Sequence, residues 1–173
     1  MKAGTGSVGK PLREDEFVSL LISGLPPDRY RNKKVLVVIP DTTRSGPTGL
    51  IFRTIAGGLA PVAKKVEFLI ALGTHPQIPD DGLRRFLGLS SGALPANVSI
   101  HQHRWDDPGE LASLGVIPAA DIRQISGGLL DEEIPVPLNR KVLECDEIIL
   151  AGPVFPHEVV GMSGGLKYLF PGV

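Results

Sequence analysis

Four short polar segments in this 173-residue chain carry side chains able to move protons, bind anions or attack electrophiles. Asp41-Thr42-Thr43-Arg44 joins a carboxylate, two hydroxyls and a guanidinium fork. With backbone amides from a helix start close behind, that set suits a phosphate or a carboxylate. The same residues also fit a plainer role, in which Asp41 or Ser45 caps the helix and Arg44 pairs with a surface acid. Gly73-Thr74-His75 offers an imidazole, whose ordinary pKa of about 6.5 allows proton transfer either way near neutrality. His101 and His103 fall two residues apart, ahead of Asp106 and Asp107. Two histidines can begin a metal site, but the expected arrangement is one edge contact and one solvated side chain. Finally, Pro156-His157-Glu158 precedes Gly161-Met162-Ser163-Gly164-Gly165-Leu166-Lys167. Backbone amides of such a glycine-rich turn can cradle a phosphate. The spacing is not that of a Walker A loop. The simplest alternative is a loose loop with a solvated lysine. Against it stands the crowding of Gly164, Gly165 and Lys167 beside Phe170-Pro171-Gly172, where a desolvated lysine could act as a nucleophile.

What must position these groups is a series of apolar runs. Residues 34–40, 66–72, 98–100 and 146–151 read as strands; the longer ones lack polar alternation, as strands buried on both faces do. Helices are expected over 13–23, from Pro47 to Lys64, over 80–87 and over 140–144, with a helical turn at 110–114 and a peripheral strand pair within 121–138 around Gly127-Gly128. Strand and helix alternating in this way predict a three-layer, Rossmann-like α/β fold with a mainly parallel sheet and right-handed crossovers. Each strand empties into one of the four polar segments. Ligands of open parallel sheets bind at the carboxyl ends of the strands, so all four should converge on one rim.

Composition narrows the function classes. Hydrophobic residues are 42% and charged residues 21%, enough for one ordinary core, with residues 1–11 expected to fray. Lys plus Arg number 18 against 19 Asp plus Glu, which gives no basic surplus for nucleic acid. The single cysteine, Cys145, precludes an internal disulfide and is expected to act as a small packing residue. No apolar run of about 18 residues suggests a membrane span, and a cytoplasmic location is expected.

In order and spacing, the four segments resemble the N-terminal domain of the nickel-dependent lactate racemase (LarA) family over residues 12–173. The strongest likeness is Pro156-His157 joined to Gly161-x-Ser163-Gly164-Gly165-x-Lys167 and Pro171-Gly172. The resemblance implies a nickel-pincer nucleotide, anchored covalently through a thioamide at Lys167. It implies His75 and His157 as an acid/base pair, and Asp41, Thr43 and Arg44 beside substrate or cofactor phosphate, with Gly164 and Gly165 shaping the cofactor turn. The chemistry implied is racemisation or epimerisation of a 2-hydroxy acid by hydride transfer. His75 is followed by Pro76, where lactate-specific members carry arginine, so another 2-hydroxy acid fits equally. The family continues beyond the point matching Val173 with a further nickel-ligating histidine and a second domain, and without them the segment alone is expected to be inactive. The alternative is a non-catalytic nucleotide- or anion-binding α/β module using the same rim.

Overall fold

The computed structural model describes residues 4–89, 93–159 and 161–173. Helices α1 (Glu14–Ser23) and α2 (Pro27–Tyr30) lead into β1 (Lys34–Pro40), followed by α3 (Thr48–Leu59), β2 (Lys65–Ala71), α4 (Asp80–Leu87) and β3 (Val98–Gln102). A 3-10 turn at Pro108–Glu110 opens β4 (Leu111–Ile117), then come α5 (Ala119–Ile125), β5 (Ile134–Asn139), α6 (Lys141–Glu144) and β6 (Glu147–Leu150). The chain finishes with β7 (Pro156–His157), β8 (Gly161–Met162) and a 3-10 turn at Gly165–Tyr168.

The apolar runs assemble a four-stranded parallel sheet in the order β3-β2-β1-β6. Side chains alternate across it, so each strand serves two layers. Val35, Val37, Ile39, Phe68 and Ile70 pack under α3, where Phe52 meets Phe68 with ring centroids 4.5 Å apart. Leu36, Val38 and Leu69 face the other way, against Tyr168, Val173 and the partly buried Val142 and Cys145. These strand residues are close to fully buried, at 0–1% exposure for Val35 through Ile39, and their removal from water is the main force holding the sheet. The mixed α/β architecture with a parallel sheet between helical layers is thus the one expected.

Three elements differ from expectation. The helical turn at 110–114 is instead a strand, β4, and the pair placed within 121–138 is β4 with β5, while 119–125 is helical. Pro118 stands at the entry to α5, with Asp121 in its first turn and Arg123 in its last, an arrangement that suits a helix dipole. Gly127 and Gly128, both at positive φ, end that helix instead of turning a hairpin. Helix α3 stops at Leu59, short of Lys64, and Pro47 precedes it as the cap residue.

Register decides what meets at the rim. Pro40 lies opposite Ala71, so β1 and β2 end level and their loops leave side by side. Strand β6 runs on the other side of β1, while β2 and β3 lie on the first. The chain therefore reverses its lateral direction at β1, where a crevice forms.

Candidate active site

Asp41 leaves the end of β1 almost completely buried, at 5% exposure. Its Oδ1 accepts hydrogen bonds from the Thr43 backbone N–H (3.1 Å) and the Thr43 hydroxyl (2.5 Å). Its Oδ2 lies 2.6 Å from Nδ1 of His75, which leaves the end of β2. Neither Asp41 nor Ser45 makes a side-chain cap to α3, which removes the plainer role considered for Asp41. A carboxylate can only accept, so it fixes the proton of the neutral ring on Nδ1 and leaves the Nε2 lone pair available. The buried acid therefore orients its partner, while the imidazole itself is half open to solvent, its side chain 56% exposed.

A cavity of about 300 Å³ adjoins this pair. Asp41, Thr43, Arg44, His75, Gly164 and Lys167 all line it, so six of the eight residues singled out from sequence converge there. Gly165 and His157 are not on the lining. Arg44 and Lys167 are half-buried, and neither makes an ion pair among the described residues. The Asp41 carboxylate on the same lining is already engaged by Thr43 and His75, so Arg44 and Lys167 are left to attract an anion.

Glycine is required where the last loop closes on the cavity. Gly164 has φ +79, and a Cβ there would run into the carbonyl oxygen of Pro153. Beside it, Tyr168 donates from its hydroxyl to the Pro153 carbonyl (2.9 Å). Burial pushes the Tyr168 phenol up from its ordinary value, with Arg44 and Asp41 acting in opposite directions. Sequence reasoning overlooked Tyr168, which both lines the cavity and packs under the sheet. The available signal was its place directly after Lys167, with Gly152 upstream, since a Cβ at 152 would strike the Tyr168 ring.

His157 sits on the short β7–β8 ribbon, half-buried, its Nδ1 accepting from the Val159 backbone N–H at 3.1 Å. The neighbouring Glu158 carboxyl is held below its ordinary range, chiefly by its own backbone N–H and then by His157, with smaller pulls from Lys167 and Arg44. These groups thus share one electrostatic neighbourhood, although His157 stays off the lining. The other two histidines depart from expectation. His103 is buried against Asn139 (3.4 Å), and His101 is half-buried, 3.0 Å from Glu67, so neither is a solvated side chain. Among the described residues, no group of three or more His, Cys, Asp or Glu is placed to hold a metal ion. No helix there is long and apolar enough to cross a membrane.

Comparison with known proteins adds to this geometry. A family model described as the lactate racemase N-terminal domain matches residues 26–173. A lactate racemase of Thermoanaerobacterium thermosaccharolyticum is 24% identical over 143 residues, which is 82% of this chain and 30% of that protein. Among solved structures, a protein of Thermotoga maritima superposes with a TM-score of 0.81 at 36% identity, over 95% of this chain and 39% of that one. The lactate racemase apoprotein of T. thermosaccharolyticum gives 0.68 at 23% identity, over 92% and 36%. The chain therefore spans between 30% and 39% of the length of these relatives.

Proposed function

This chain belongs to the lactate racemase N-terminal domain family, and on that premise we propose that it is the cofactor-anchoring half of a 2-hydroxy-acid racemase or epimerase. The observation that carries the proposal is that one cavity is lined by Lys167, by Arg44 and by the Asp41-braced imidazole of His75.

The nickel-pincer nucleotide implied by the family can be tested against these residues. A cavity of about 300 Å³ with two cations and a glycine cradle suits a phosphorylated organic group. The described residues offer no metal cluster of their own, so nickel would have to arrive within that group. Lys167 would hold it covalently, with the Thr43 hydroxyl near its charge. When bound, the group supplies the hydride acceptor that the protein lacks.

The remaining work falls to the chain itself. Racemisation removes hydrogen from C2 of the substrate and restores it on the other face, and the hydroxyl proton must leave and return in step. His75, its Nδ1 held by Asp41, can take and give that proton through Nε2. Asp41 holds the ring in the useful tautomer and supports the imidazolium that forms. Arg44 can grip the substrate carboxylate through its fork, which sets the orientation of C2. His157 is assigned the matching proton transfer for the opposite enantiomer, and it must come from the ribbon to the cavity edge to perform it.

The test is the intact mass of the chain produced together with the enzymes that make the cofactor. The expected result is a mass increase mapped to the peptide containing Lys167 and absent from Lys167→Ala. An unmodified Lys167 with anion binding that Arg44→Ala abolishes would replace this proposal with the non-catalytic anion-binding module.

A further inference from the structure

Lys167 lies within the short 3-10 turn Gly165–Tyr168, and both flanks of that turn meet one atom, the carbonyl oxygen of Pro153. On the near flank, Gly164 packs so closely on this oxygen that no Cβ would fit. On the far flank, the Tyr168 hydroxyl donates to it at 2.9 Å. Pro153 follows closely on the end of β6, so the fastening point is set by the sheet. The main chain of Lys167 is tied as well. Its N–H donates to the Gly164 carbonyl (3.1 Å), and its own carbonyl accepts from the Gly172 N–H (3.1 Å). The Gly172 carbonyl accepts in turn from the Gly73 N–H (3.0 Å), in the loop that carries His75. The place of Lys167 is thereby inherited from the ends of two strands.

The ring and the hydroxyl of Tyr168 do different things. The ring is buried with Leu36, Val38, Leu69 and Val173, and a phenylalanine would fill the same space. The hydroxyl lies against Gly152, where a Cβ would collide with it, and from there it reaches Pro153. Burial raises its pKa, so the phenol stays protonated and able to donate through the neutral range. A lysine side chain keeps much rotamer freedom, and what a fold can hold still is the backbone that carries it. Without the hydroxyl, the far flank of the turn would rest on ring packing alone, and Lys167 would be presented to the cavity less often in the useful direction.

We propose that Tyr168 is a positioning residue whose hydroxyl, seated on the Pro153 carbonyl, holds the turn that presents Lys167 to the cavity. This deepens the function proposed above and rests on its assignment of Lys167. The experiment is a double-mutant cycle read by calorimetric titration with inorganic phosphate, on the wild type, Tyr168→Phe, Lys167→Ala and the double variant. Tyr168→Phe is expected to weaken phosphate binding about 2–10-fold, the scale of one hydrogen bond. In the Lys167→Ala background the same substitution should change affinity by less than about 2-fold, because its effect passes through the lysine. Val142→Ala, which thins the same apolar layer, should lower the melting temperature and leave phosphate affinity unchanged. Equal losses in both backgrounds, a similar loss in Val142→Ala, or no phosphate binding by the wild type would overturn the proposal. Undiminished affinity in Lys167→Ala would remove the anion-facing role of Lys167, and this inference with it. A loss there with none in Tyr168→Phe would remove the role of Tyr168 alone. An unmodified Lys167 in the mass measurement described above would end the cofactor reading without altering the outcome of this cycle.

Discussion

His75 and His157 are assigned matching chemistry, yet the two are supported very differently. His75 follows a strand whose neighbours are close to fully buried, and a carboxylate from the adjacent strand holds its ring. His157 rides on a ribbon of two paired residues per strand, with Val159 and Met162 exposed and the Val159 backbone N–H donating to its Nδ1. The lesson is that one wall of the site is built in advance by the sheet, whereas the other depends on local turns and on Gly164 against Pro153. Preorganisation is strongest where burial is deepest.

This contrast can be broken at several levels of effect. Phe68→Ala, beneath the His75 strand, should cost about 3–5 kcal/mol, while Met162→Ala on the ribbon should stay within about 0.5 kcal/mol. Urea unfolding of the two variants measures the gap, and equal losses would remove the distinction. Asp41→Asn should cost about 1.5–3 kcal/mol, since two charge-assisted contacts weaken. Nitrogen NMR of the His75 ring should then show the Nδ1-protonated form losing its dominance, and an unchanged tautomer would deny Asp41 its orienting role. Gly164→Ala should cost about 1–3 kcal/mol through its left-handed backbone and reduce anion binding at Lys167, as read by thermal shift with inorganic phosphate.

The smallest effect concerns the strand that feeds the ribbon. Glu147 on β6 accepts from Arg29 (2.8 Å) and Lys33 (2.7 Å), which together pull its carboxyl down to about 2. A carboxyl lowered by folding adds stability above its unfolded pKa of about 4.3 and loses it as pH falls toward the folded value. Wild type should therefore exceed Glu147→Gln in stability at pH 7, with the difference vanishing between pH 4.5 and about 2. A difference that persists at the acid end would show that something other than this charge fastens β6.

The strands and their carboxyl-end loops could be read from sequence because burial on both faces leaves an unbroken apolar run, as in Val35 to Ile39. Residues 111–125 could not. Leu111-Ala112-Ser113-Leu114 reads as helix on local preference, but pairing with β5 overrides it through Ala112 opposite Leu138. The Asp41–His75 contact was equally hidden: each residue was placed at the rim, but only the level ends of β1 and β2 make them partners. His157 is expected at the rim because its segment follows the strand at 146–151, but the short β7–β8 ribbon holds it off the cavity lining, which its spacing does not reveal.

Asp41 has a consequence that reaches past catalysis. Each of its two oxygens is engaged, one by the loop carrying Thr43 and one by the loop carrying His75. A side chain with two rotatable bonds thus acts as a spacer gauge between segments 34 positions apart along the polypeptide. Whatever tugs on the Thr43 side is transmitted to the ring within a few ångströms, without crossing the sheet.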